Sequence, residues 1–448
     1  MPQTVDVTEL VGKAPFGRFQ FGITALCALV AVLDGFDTQA IAYVAPVIAE
    51  QWHIDPSGFG PIFGAGLAGL MVGAFILSPA ADRFGRKSII MLSLGIFGLL
   101  ALGTAWATST TELLVLRFLT GLGLGGAMPN IIALTSEYAP ARLRAMLISI
   151  MFCGFPLGST LGGLISTQLI AAYGWPSVFV VGGLLPLFLL AVLWVVLPES
   201  VRFLVLQGAP PERIRKILSQ LDPSNTPAPG SSYGLHEIQP RGFPAIKLFQ
   251  DGRAQTTLLL WIAFFMNLLV MYFLVNWLPS LLRASGLSLQ VAIMSTAVLN
   301  LGGVVGALVL GRMIDRMTPP VVLGSAYLAS AVFIGLVALH SDNMWVLMPA
   351  TFMTGFGVVG AQIGMNALAA GTYPTAIRAT GVGWALGVGR IGSIIGPVLG
   401  GVLLGMGWSA SSLVLTAALP IVLASLAVFA LRWYGHRAPT LAEAGLVH

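Results

Sequence analysis

Four charged residues stand in this 448-residue chain where charge is costly: Asp34, Asp37, Arg117 and Arg390 each fall inside a long apolar run. An isolated carboxylate at the centre of a membrane helix costs about 2.5–3.5 kcal/mol on insertion scales, and binding a proton removes its charge. Asp34, near the middle of the first run, is therefore suited to take up and release a proton. Its plainer alternative is a bond to a neighbouring helix. Asp37 lies one helical turn further on and on roughly the same face. Two close carboxylates titrate as a pair, so one can stay charged while the other carries the proton.

Arg390 offers a different chemistry. A guanidinium keeps its charge and presents a planar fork matched to a carboxylate. The flanking Gly389 and Gly392 read as room for that fork and for a ring beside it. Arg390 is thus the candidate grip for an anionic ligand, with a permanent salt bridge as the alternative. Arg117, nearer the outer end of its run, either pairs with Asp37 or attracts the anion, and the sequence favours neither. A pocket for a ring needs apolar walls with a few polar contacts. Asn267, Tyr272, Phe273, Asn276 and Trp277 supply such groups on one run, and Gln362, Asn366 and Trp384 on two later ones. Trp277, near a run's end, reads as part of an interfacial aromatic belt.

The elements that must hold these side chains are set by composition. Hydrophobic residues make up 56% of the chain and charged residues 9%, against about 25% charged in a soluble domain. Each apolar run approaches the roughly 20 residues that a membrane helix requires. The runs lack the alternation of barrel strands. The spacing predicts spans at 20–47, 58–80, 88–107, 112–137, 145–172 and 178–198, then 256–281, 290–313, 321–340, 345–371, 379–405 and 410–433. The expected fold is an all-α membrane protein of 12 transmembrane helices. The first 20 residues carry Asp6, Glu9 and Lys13 and no apolar core, so no cleavable signal peptide is expected.

The 22 Lys and Arg residues sort by side. Arg283 alone falls on one side and Arg117 and Arg390 within spans, whereas all others, from Lys13 to Arg437, fall on the opposite side. Positive charge stays cytoplasmic, so both termini and the long middle loop are expected there. The formal charge of +5 is then an orientation signal rather than a nucleic-acid surface.

The chain also repeats itself. Ser78, Asp82 and Arg83 match Gly311, Asp315 and Arg316. Pro46 matches Pro279, Pro140 with Arg144 matches Pro374 with Arg378, and Gly158 and Gly162 match Gly392 and Gly396. The interval is constant to within one residue, as duplication requires. The expected domains are a six-helix bundle over 1–198, a cytoplasmic linker over 199–255 and a second six-helix bundle over 256–448. Within the linker, Pro211 and Glu212 open a short amphipathic helix through Leu221, and Asp222 to Gly242 reads as flexible.

Charged residues at the cytoplasmic ends form candidate gates: Asp82, Arg83, Arg86, Glu137, Arg142 and Arg144, with Asp315, Arg316 and Arg378 as their repeats. Exposed ion pairs are worth only ~0–1 kcal/mol each, which suits contacts that break in every cycle. The plainer alternative is that they only anchor topology. Gly302, Gly303 and Gly306 read as close helix packing. Cys27 and Cys153 form no ligand cluster, and His53, His236, His340, His436 and His448 do not gather into a catalytic centre. No metal or other cofactor is expected, nor is an enzyme.

The loop from Ala81 through Asp82-Arg83-Phe84-Gly85-Arg86 to Lys87 resembles the signature of the major facilitator superfamily, as do Arg117, Gly121 and Gly125 and the glycines Gly154, Gly158 and Gly162. Ser78 departs from the family's usual glycine, while Gly311 keeps it. Asp34-Gly35-Phe36-Asp37 further resembles the aromatic acid:proton symporters of that superfamily. So do Arg117 to Gly123, Glu137-Tyr138 with Pro140, Pro198-Glu199-Ser200, and Gly387 with Gly389-Arg390. The resemblance implies proton-coupled uptake of benzoate-like, hydroxybenzoate-like or phenylpropionate-like anions across a bacterial plasma membrane by alternating access. It leaves another proton-linked facilitator, for sugars, organic anions or drug export, as the alternative. Protons, an aromatic carboxylate and membrane lipid are the implied partners, with the monomer as the working unit.

Overall fold

In a computed structural model, the described residues are 4–228, 230–235, 246–250, 252–373 and 377–434. Arg241, Pro374 and Arg437, with His236, His436 and His448, lie outside them. The helices run in order as α1 (Val7–Lys13), α2 (Arg18–Trp52), α3 (Phe59–Phe84), α4 (Arg86–Thr104), α5 (Thr110–Tyr138), α6 (Arg144–Phe152), α7 (Gly154–Tyr173), α8 (Pro176–Val196), α9 (Val201–Leu206) and α10 (Pro211–Leu221). There follow α11 (Ala254–Ala284), α12 (Leu289–Ile314), α13 (Pro319–Leu339), α14 (Met344–Thr372), α15 (Arg378–Gly405), α16 (Ala410–Thr416) and α17 (Ala418–Tyr434). Among the described residues, 12 helical segments are long and apolar enough to cross a membrane. The fifth expected span is α6 with α7 and the last is α16 with α17.

The chain forms two compact units. One gathers Met1–Ala40 with Ala65–Gln239, and the other gathers Ile41–Gly64 with Pro240–His448. The second unit thus takes in the end of α2 and the start of α3, which the sequence repeat groups with the earlier helices. Within that unit the reasons are specific. Glu50 pairs with Arg283 at 2.8 Å, the Phe63 ring stands edge-on to Trp277 at 5.2 Å, and Gly60 lies against the backbone of Gly401.

Helices approach closely where glycines replace side chains. In the first unit a Cβ on Gly158 of α7 would strike the Val32 carbonyl of α2. In the second, a Cβ on Gly392 of α15 would strike the Phe265 carbonyl of α11. These are repeat positions, so each unit builds the same interlock. Gly302 and Gly306 of α12 meet α14 in the same manner, as expected for small residues at membrane-helix contacts.

Of the segment expected as a linker, the described residues up to 235 belong to the first unit, whereas 246–250 and 252–255 belong to the second. The α10 helix forms over the expected Pro211–Leu221, with Ile214, Leu218 and Leu221 buried. They share an apolar cluster with Val7 and Val11 of α1 and Val201 and Leu204 of α9. Flexibility across 222–242 does not hold where residues are described: strand β2 (Ser232–Gly234) pairs in parallel with β1 (Thr4–Asp6).

Candidate functional site

In the first unit the acidic motif sits inside α2 because Gly35 lets α7 in. A Cβ at Gly35 would collide with the Phe155 carbonyl, and Ser159 donates to the Gly35 carbonyl at 3.0 Å. Phe36 fills the space left by Gly162 and Gly182. This packing fixes the rotation of α2 and buries both carboxylates, Asp34 and Asp37, to 1% exposure. Asp34 accepts a hydrogen bond from the Thr38 hydroxyl at 3.2 Å. Asp37 meets Arg117 through a fork, Nη1 to Oδ2 at 3.2 Å and Nη2 to Oδ1 at 3.4 Å. Arg117 also donates to Thr120 at 3.2 Å and lies over the Phe179 ring at 5.1 Å. Of the two roles open to Arg117 in the sequence, the geometry adopts the pairing with Asp37.

In the second unit Arg390 is half-buried on α15. Its Nη1 stands 3.5 Å from the Tyr272 hydroxyl of α11, and no carboxylate pairs with it among the described residues. The flanking glycines do not leave open room. A side chain on Gly389 would press on Leu268 and one on Gly392 on the Phe265 carbonyl, so both serve the approach of α11.

The other expected lining residues are spread more widely. Gln362 accepts from the fully buried Asn267 at 2.7 Å. Asn276 turns back to the Tyr272 carbonyl on its own helix at 2.7 Å. Asn366 is half-buried with an unpartnered Oδ1. Trp384 is 44% exposed and stacks on Trp261 at 5.8 Å. Trp277 is no interfacial residue: it is 1% exposed, and its indole N–H donates to the Pro397 carbonyl at 2.8 Å. Its position late in the helix misled, because the start of α3 covers that end.

Of the candidate gate residues in the first unit, Asp82, Arg86 and Glu137 are joined to one another, and Arg83, Arg142 and Arg144 make no ion pair among the described residues. Arg86 bridges Asp82 at 2.9 Å and Glu137 at 3.3 Å. Glu137 also accepts from the Ser200 hydroxyl. Beside them the Glu199 carboxylate accepts the main-chain N–H of Lys87 at 3.1 Å, capping the start of α4. Gly85, at φ 93°, leaves the space that the Glu199 carboxylate fills. Arg83 is exposed over the Phe84 ring at 5.5 Å, and Arg142 is exposed. The repeat copies differ. Asp315 and Arg316 are exposed without an ion pair among the described residues, and Arg378 donates to the Tyr373 carbonyl at 3.4 Å.

Thr38, Thr120 and Ser159 were not singled out by sequence reasoning. The first two stand one helical turn from the charges they bond, a spacing that could have found them. Phe179 carries no such signal.

The major facilitator superfamily model matches residues 27–324 and 260–445, and the chain belongs to that superfamily: it is a multi-pass membrane transporter, not an enzyme. Its relatives narrow the company it keeps. It is 43% identical to the 4-hydroxybenzoate transporter of Pseudomonas putida, over 95% of either chain. It is 42% identical to the gallate transporter of the same species, again over 95% of each. Identity to the 3-(3-hydroxy-phenyl)propionate transporter of Escherichia coli is 38%, over 91% of this chain and 92% of that one. Among solved structures, the xylose transporter XylE from E. coli superposes with a TM-score of 0.71 at 16% identity, covering 95% of this chain and 99% of that one. That likeness speaks for the fold alone.

Proposed function

We propose that this protein imports an aromatic carboxylate together with protons across the bacterial plasma membrane by alternating access. Substrates belong to the benzoate, hydroxybenzoate, protocatechuate or phenylpropionate class, feeding aromatic catabolism. Both termini face the cytoplasm and the monomer is the working unit. The observation that carries this reading is Arg390, a half-buried guanidinium with a phenol and no carboxylate beside it among the described residues. Such a fork is matched to an incoming carboxylate. The substrates named for the relatives, 4-hydroxybenzoate, gallate and 3-(3-hydroxy-phenyl)propionate, are all of this chemistry.

Asp34 is the proton site in this reading. Asp37 is held by two donors of Arg117, and protonating it would strand that buried cation. Asp34 has a hydroxyl donor, which serves either protonation state. Coupling has an energetic reason. Moving one anion into a negative interior costs ~2.3 kcal/mol per 100 mV, and one accompanying proton cancels that charge.

The test is uptake of radiolabelled aromatic acids into proteoliposomes with an imposed pH gradient. Wild-type protein should accumulate one or more of them, and Asp34→Asn should not accumulate any. The methyl esters should not bind. Gradient-driven accumulation by Asp34→Asn at the wild-type level would sink the coupling role.

A further inference from the structure

The first unit holds a cavity of about 40 Å³ whose wall includes two of the candidate gate residues, Glu137 and Arg144. Its polar wall is Thr8 of α1, Ser136 and Glu137 of α5, Arg144 at the start of α6 and Arg202 of α9, and three valines close the rest. One group in this wall lacks a counterpart. Arg144 is half-buried and its Nε is sealed without a hydrogen-bond partner. Its guanidinium makes no ion pair among the described residues. The Thr8 hydroxyl is likewise buried without a partner.

The carboxylate in the wall does not answer Arg144. Glu137 is engaged by Arg86 at 3.3 Å and by the Ser200 hydroxyl, and Arg202 also acts on it. Arg144 is a half-buried cation with a sealed, unpartnered Nε, and a cation partly withdrawn from water favours a counter-charge beside it. Water needs about 10–15 Å³ per molecule on this scale, so the space takes about three waters or one small oxyanion. Waters would satisfy the hydrogen bonds but not the charge. The repeat position is different, since Arg378 is exposed and donates to the Tyr373 carbonyl. The stranded cation is a property of the first copy.

We infer that this cavity binds a small oxyanion, whose oxygens accept from the Arg144 guanidinium and the Thr8 hydroxyl, with Ser136 at its side. The ligand ties the amino-terminal α1 to the turn between α5 and α6. Inorganic phosphate and a free carboxylic acid share the required chemistry. The inference stands apart from the transport reading, because phosphate can be tested where no acid is carried.

The experiment is thermal unfolding of the purified full chain, with inorganic phosphate or acetate titrated against chloride at constant ionic strength. The wild type should be stabilised saturably by one of the two anions. The concentration needed should rise about tenfold or more in Arg144→Gln, as loss of a charged hydrogen-bond donor requires. It should rise several-fold in Thr8→Val, which keeps every charge. A phosphate response that depends on Arg144 assigns the site to phosphate, and an acetate response that does so assigns it to a small carboxylate. If Arg144→Gln does not fold, Thr8→Val decides. A wild type stabilised by neither anion beyond chloride overturns the inference, as do variants that respond as the wild type does.

Discussion

The Arg117 guanidinium reaches across 80 residues of sequence to the Asp37 carboxylate at 3.2 Å, with both groups sealed from solvent. Removing one partner of such a pair leaves the other buried and charged, at about 3–5 kcal/mol. Asp37→Asn should therefore lower the unfolding temperature of the detergent-solubilised protein markedly. Asp37→Asn combined with Arg117→Gln removes both charges and should recover most of the loss. A double variant as unstable as the sum of the single ones would show that the two residues are not coupled.

Gly35 separates the two acids, and its missing side chain is what admits α7. Gly35→Ala drives a methyl group into the Phe155 carbonyl, and overpacking of this kind costs about 1–3 kcal/mol. Gly22, earlier on α2, faces open space, so Gly22→Ala serves as the matched control. Size-exclusion yield and melting temperature should fall for Gly35→Ala alone. Equal behaviour of the two variants would mean that α2 and α7 separate without cost.

The spans were legible because helix length and apolarity in a membrane leave few alternatives. Asp34, Asp37, Arg117 and Arg390 were legible for the related reason that charge inside a span needs an explanation. Partner choice was not. Arg117 had two open roles until Asp37 was seen beside it. The space attributed to Gly389 and Gly392 turned out to be occupied by α11, because a glycine reads the same whether it faces a cavity or a backbone. Trp277 was misplaced for want of tertiary information: which chain segment covers a helix end is not written in that helix. The capping of α4 by Glu199 was invisible for the same reason, although both partners lay in recognised motifs.

Gly85 and Glu199 make a joint prediction. Gly85 has φ 93°, which a side chain adopts only with strain, and the Glu199 carboxylate occupies the place of its missing Cβ. Gly85→Ala should cost about 1–3 kcal/mol and also displace that carboxylate. Glu199→Gln keeps the shape but weakens the bonds to the Lys87 and Ser200 N–H groups, at 3.1 and 2.8 Å. Hydrogen exchange at these two amides should accelerate in both variants. Unchanged exchange in Gly85→Ala would place the cap elsewhere.

Arg390 and Tyr272 separate ligand recognition from ligand-free structure. The 3.5 Å contact between them lies at the limit of a hydrogen bond, so the phenol restrains the guanidinium only weakly. Tyr272→Phe should weaken binding of 4-hydroxybenzoate by about threefold or less, in keeping with a bond worth under ~1 kcal/mol. Arg390→Lys preserves charge and loses the two-pronged donor, and should weaken binding by about tenfold or more, or ~1.4 kcal/mol. Scintillation proximity binding to purified protein reads both. The charge-preserving variant is the decisive one, because a site that needed only a positive point charge would tolerate lysine. Affinity unchanged in Arg390→Lys would move the carboxylate grip away from α15.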